Sequence, residues 1–189
     1  MHGSKPKYFH REVGGNFRLD PLQAALLRVK MGHYDRYSRA RQANAAYYLE
    51  TVSTLEGVVP AAPAHCCCAK AQEEALAEAR IVLPACYEHN EHIWNQFTLR
   101  VRGPGQRDLL RAHLAEREIG SEVYYPLTMD QQECFAELPA SSREGNEVAH
   151  QLAGEVLSIP IYPELEREMQ DQVVEAISEF LEVETPVEE

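Results

Sequence analysis

Residues 14–30 read Gly14-Gly15-Asn16-Phe17-Arg18-Leu19-Asp20-Pro21-Leu22-Gln23-Ala24-Ala25-Leu26-Leu27-Arg28-Val29-Lys30, the strongest local signal in the chain. Asp20-Pro21 starts a helix: an aspartate N-cap is followed by proline at the first helical position, where its missing N–H costs nothing. Leu22, Ala25, Leu26 and Val29 follow at helical spacing and predict an apolar stripe turned to a core. Just ahead, two glycines permit close backbone approach, and Asn16 offers amide donors. Arg18 adds a planar five-donor fork suited to phosphate or carboxylate. The helix N-terminus beyond them favours an anion. From local chemistry alone, an ordinary loop closed by an Asx-type turn accounts for the same residues equally well.

Outward from this stretch, Gly32 interrupts the pattern and a second helix is predicted from Tyr34 to about Leu55. It carries Tyr37, Tyr48, Val52 and Leu55 on or near one face and ends at Gly57. Residues 58–91, with Pro60, Pro63 and three consecutive cysteines, read as an irregular, insertion-like segment; Gln72 to Arg80 has the composition of a short polar helix. From His92, Ile93, Phe97, Leu99 and Val101 alternate with Trp94, Gln96, Thr98 and Arg100, the period-two pattern of a strand. After Gly103-Pro104-Gly105, a helix is expected over Arg107–Glu118 with Leu109, Leu110 and Leu114 buried, then a short strand at Glu122–Tyr125. Asn146–Leu157 reads as helix and Ser158–Tyr162 as extended chain. A last helix from near Pro163 presents Leu165, Met169, Val173, Ile177 and Phe180, and the tail from Glu182 to Glu189 is expected to be solvated. Few strands among many helices predict an α/β fold: a small, mostly antiparallel sheet covered by helices.

The whole-chain arithmetic narrows the function classes. A length of 189 residues fits one domain, or one and a fraction. A net charge of −12 argues against nucleic-acid binding over the whole surface. Residues 1–59 nevertheless carry nine Lys/Arg against five Asp/Glu, a basic third fit for a phosphate-bearing ligand or for an ordinary solvated helix face. No apolar run approaches the ~20 residues of a membrane span, and MHGSKPKYFH has no signal-peptide core, so a cytoplasmic protein without a membrane partner is expected. The five cysteines, Cys66, Cys67, Cys68, Cys86 and Cys134, form no secreted disulfide framework. With His65, His89 and His92 they offer soft ligands, but no CxxC pair, and no metal site is assigned. No Gly-rich phosphate loop, GxSxG or HExxH occurs, so no catalytic residue is assigned either.

Several ordered motifs together are more specific. His2-Gly3-Ser4 with Tyr8, GGNFRLDPLQAALLRVK, HIWNQFTLRV, RDLLRAHLAEREIGSEVYYP and VLSIPIYPEL resemble, in order, the DegT/DnrJ/EryC1/StrS family of pyridoxal-phosphate-dependent sugar aminotransferases. The resemblance covers nearly the whole chain except about 58–91. It implies the C-terminal part of a fold type I transferase. Residues 1–57 would join the large and small domains, and 92–189 would form the small C-terminal α/β domain. In that family the Schiff-base lysine, the aspartate at the pyridine nitrogen and the phosphate-binding Ser/Thr lie upstream of the HGS motif. Lys5, Lys7, Lys30 and Lys70 are the only lysines and none stands in that lysine's context, so the chain alone is expected not to transaminate.

The resemblance also implies partners and roles. The cofactor is pyridoxal 5'-phosphate, the substrate a nucleotide-linked keto sugar, the amino donor glutamate, and the assembly a homodimer with sites shared between subunits. Asn16 would reach the neighbour's cofactor phosphate, Arg18 an acidic sugar or the nucleotide, and Tyr124 and Tyr125 the substrate. Two positions depart from the family pattern: Asp130 stands where a histidine is common, and Asn95 replaces a histidine of the strand. A binding or dimerisation module that kept the interface without the chemistry is the alternative. A thiol or metal module at Cys66–Cys68 is a third reading.

Overall fold

The computed structural model describes residues 18–61, 76–87, 89–132, 137 and 144–183. The chain divides into two compact units, residues 1–36 and 37–189. In the first, helix α1 (Pro21–Met31) starts as its sequence dictates. Asp20 is extended, its Oδ1 accepts the Leu22 N–H at 2.8 Å, and Pro21 follows; Arg28 and Lys30 occupy the last turn, where the helix dipole favours cations. The expected burial of its stripe does not occur. Leu22, Leu26 and Val29 are 71%, 59% and 70% exposed, and no residue of α1 is buried.

Helix α2 (Tyr34–Val52) runs from the end of the first unit into the second and buries Asn44, Ala45, Tyr48 and Val52. Burial pushes the Tyr48 phenol well above its ordinary pKa. The second unit is built on a four-stranded sheet in the order β1 (Val58–Pro60), β2 (Ile81–Leu83), β3 (Phe97–Val101), β4 (Val156–Ile159). The β1–β2 pair is parallel and the other two are antiparallel. Half the sheet thus comes from the stretch that reads as irregular. Two three-residue strands are too short to show a period, and Pro60 looks like a breaker but stands at the end of an edge strand, a position where proline is tolerated. The run Cys66–Cys68 lies outside the described residues, and Cys86 is exposed.

β3 alternates as expected, with Phe97, Leu99 and Val101 buried. It starts later than the pattern suggests, because Trp94 takes a left-handed conformation (φ 51°) that ends extended pairing. Helix α3 (Gln106–Glu116) packs on β3 and β4, α4 (Glu147–Glu155) on β3, and α5 (Arg167–Glu182) on α3. α3 buries Arg107, Leu110 and Leu114, a 3-4 spacing that leaves Leu109 outside; α5 likewise buries Gln170 and exposes Met169. The short strand expected at Glu122–Tyr125 contracts to one bridge, Glu122 to Ser158.

Candidate functional site

α2 positions two loops through its polar face. The Arg41 Nη1 donates to the carbonyls of Trp94 (3.1 Å), Asn95 (3.2 Å) and Ile161 (2.8 Å), and the Asn44 amide donates to the Tyr162 carbonyl at 2.9 Å. The loop before β3 and the one after β4 are thereby held side by side. The Trp94 N–H donates to His92 Nδ1 at 2.9 Å, which fixes the first loop from within. A third wall comes from the chain after α3, where Glu118 is left-handed (φ 58°), and it is pinned by paired backbone bonds between Glu122 and Ser158 (3.0 and 2.8 Å).

These walls and α5 enclose a cavity of about 550 Å³. Its floor is apolar (Ile159, Ile161, Leu165, Val173), while Asn95, Ser121, Ser158, Tyr124 and Gln172 supply amide and hydroxyl groups. Two carboxylates, Glu118 and Glu122, also line it, and among the described residues none of its lining carries a positive charge. An apolar floor rimmed by neutral donors and acceptors suits the ring face and hydroxyls of a sugar. Among the described residues no group of three metal-ligating side chains gathers anywhere.

The sequence-derived residues fall in different places. Tyr124 stands in the cavity wall, 43% exposed; Tyr125, 72% exposed, meets it edge-on at 6.0 Å between ring centroids but does not line the cavity. Asn95, one of the two departures, lines the cavity. Asp130, the other, does not: its Oδ2 lies 2.7 Å from His150 Nε2 of α4. Its carboxyl is held below the usual carboxylate pKa, first by the Thr128 hydroxyl and then, against the opposing effect of burial, by His150. Arg18 is exposed in the first unit, and Asn16 lies outside the described residues. The sequence reading missed Arg41, which looks like any charge on a helix face. It also missed Ser158, whose only signal is a hydroxyl inside the apolar strand VLSI.

Comparison with known proteins gives the family and the fold. The sequence model of the DegT/DnrJ/EryC1/StrS aminotransferase family matches residues 1–178. A pleiotropic regulatory protein of Geobacillus stearothermophilus is 38% identical over 180 residues, 95% of this chain and 42% of the relative. The dTDP-3-amino-3,4,6-trideoxy-alpha-D-glucose transaminase of Streptomyces venezuelae is 34% identical over 182 residues, 96% of this chain and 41% of that enzyme. The crystal structure of S. venezuelae DesV in complex with a ketimine intermediate is similar at a TM-score of 0.70 with 32% identity, covering 97% of this chain and 42% of that one. The chain therefore spans about two fifths of the length of these relatives. Its α/β fold matches the C-terminal part of a fold type I enzyme.

Proposed function

The chain belongs to the DegT/DnrJ/EryC1/StrS aminotransferase family, and on that premise we propose that it works within an enzyme that aminates a keto group on a nucleotide-linked sugar. The observation that carries this reading is Tyr124 in the wall of a cavity with an apolar floor and a rim of amides and hydroxyls. Tyr124 orients the sugar from the cavity wall, Tyr125 meets the substrate outside that lining, and Ser121, Ser158 and Asn95 offer partners for the sugar's hydroxyls. The S. venezuelae relative, a transaminase named for a dTDP-linked amino sugar, supports a substrate of that class.

The family depends on pyridoxal phosphate, which when bound supplies the electron sink for moving an amino group. The cavity does not fit its phosphate: two carboxylates line it and, among the described residues, no cation does. We therefore place the cofactor outside this cavity, held mainly by residues beyond this chain. Asn16 is this chain's contribution, reaching the neighbouring subunit's cofactor phosphate in a homodimer, with glutamate as the amino donor. Arg18 holds the nucleotide or an acidic group of the sugar. Residues 1–57 join the two domains of the enzyme, and the bare leucines of α1 support a helix that the assembled enzyme covers.

The cavity's role is tested with Tyr124→Ala in the complete enzyme. KM for the sugar nucleotide should rise about tenfold with a much smaller change in kcat, the pattern of a lost binding contact. An unchanged KM removes Tyr124 from the substrate.

A further inference from the structure

We propose that His150 of α4 positions Tyr124 for the sugar, a role that rests on the aminotransferase reading for its substrate. It acts through Asp130, by fixing the segment that carries both tyrosines. That segment leaves the cavity wall at Glu122, whose backbone is bonded both ways to Ser158 of β4, at 3.0 and 2.8 Å. Val123 is buried, but Tyr124, Tyr125 and Leu127 are exposed, so packing does not hold the stretch that follows.

A side chain holds the far end. The chain turns at Met129–Gln131, where the Gln131 N–H donates to the Thr128 carbonyl at 3.1 Å and the Thr128 N–H to Gln131 Oε1 at 3.2 Å. Both bonds are internal and tie the turn to nothing else. Asp130 supplies the outside link: its Oδ2 lies 2.7 Å from His150 Nε2, and its side chain is only 11% exposed. Among the described residues this is the one hydrogen bond that joins residues 123–132 to another element. A carboxylate only accepts, so Nε2 carries the hydrogen and His150 donates, whether as neutral imidazole or as imidazolium.

His150 can hold that end because α4 is itself moored. About one turn further along, the Arg107 Nη1 donates to the Ala153 carbonyl at 3.1 Å, and Glu155 pairs with Arg100 at 2.5 Å, which ties α4 to α3 and to β3. Arg107 is buried, so water does not compete for the first of these bonds. The tyrosine segment is therefore slung between β4 at Glu122 and α4 at Asp130, two fixed parts of one frame. A stretch pinned at both ends samples fewer conformations than one pinned at a single end. Tyr124 then stands near its bound position before the sugar arrives, and less of its contact free energy is lost to ordering. Without the His150 donor the turn is released and the substrate has to order Tyr124, which weakens binding and leaves the chemical step alone.

The test uses the complete enzyme, nucleotide-linked keto sugars and the variants His150→Ala, His150→Gln and Tyr124→Ala. The Gln side chain presents an amide N–H where imidazole presents Nε2–H, so it restores the bond that Ala deletes. His150→Ala should raise KM for the sugar nucleotide about fivefold with kcat changed less than about twofold, and His150→Gln should keep the KM of the unsubstituted enzyme. With Tyr124→Ala already in place, His150→Ala should add less than about a twofold rise, since both act on one contact. The segment itself is read by chymotrypsin cleavage after Tyr124 and Leu127, which should quicken about tenfold in His150→Ala and stay unchanged in His150→Gln. Equal cleavage rates in the unsubstituted enzyme and His150→Ala overturn the proposal. So does a KM that rises with Tyr124→Ala but not with His150→Ala, or one that rises equally with and without Tyr124. If Tyr124→Ala itself leaves KM unchanged, the sugar reading fails, and the cleavage rates alone decide whether His150 holds the segment.

Discussion

Asp130 follows the two tyrosines on the segment that leads out of the cavity wall, and its bond to His150 ties that segment to α4. Its folded-state pKa is lowered, so the folded form binds the proton less readily than the unfolded chain does. The resulting stability is present above the unfolded carboxylate value, about 3.9, and is lost as the pH falls through the lower folded value. Asp130→Asn should therefore flatten the acid limb of stability below about pH 4, read as urea midpoints against pH. An acid limb as steep as that of the unsubstituted chain would show that the pairing contributes nothing. At this scale the sequence was legible wherever a residue's role is local. Asp20 caps α1 as its position implies, whereas Asp130 is a departure whose partner lies twenty residues on. Nothing in the sequence near Asp130 names His150, because the fold alone brings them together.

At the scale of elements, Arg41 is the tie between α2 and the two loops of the cavity. One nitrogen serves three carbonyls, so Arg41→Ala should destabilise the second unit by about 2 kcal/mol, as several bonds from a charged donor are lost at once. It should also weaken sugar-nucleotide binding in the complete enzyme, because the Asn95 and Ile161 walls lose their common anchor. A stability change under about 0.5 kcal/mol, measured by urea unfolding, would remove Arg41 from that role. Elements with strong periodicity were readable: β3, α3 and α5 stand close to their expected positions. β1 and β2 were not, since three residues cannot display a period, and the pairing of β1 with β2 and of β2 with β3 is a long-range event. The apolar stripe of α1 does not turn to a core, because periodicity says only that a face is apolar and not what covers it.

For the whole molecule, the uneven charge now has a physical setting. The basic first third contains α1 and Arg18, while the cavity in the acidic remainder is lined by two carboxylates and, among the described residues, no cation. A nucleotide-linked sugar has the matching division, an anionic diphosphate joined to a neutral ring. The fold class was legible from the order of the motifs; the cavity was not, because its walls come from four separated segments that share no pattern in the sequence.

The most direct test follows the nitrogen atom. The complete enzyme that contains this chain is supplied with pyridoxal phosphate, ¹⁵N-glutamate and nucleotide-linked keto sugars, and the sugar product is weighed by mass spectrometry. The account predicts ¹⁵N in the sugar, transfer that falls sharply with Asn16→Ala, and no transfer by the 189-residue chain alone. A complete enzyme that retains the cofactor and leaves nucleotide-linked keto sugars unlabelled would contradict it, as would labelling by the chain alone.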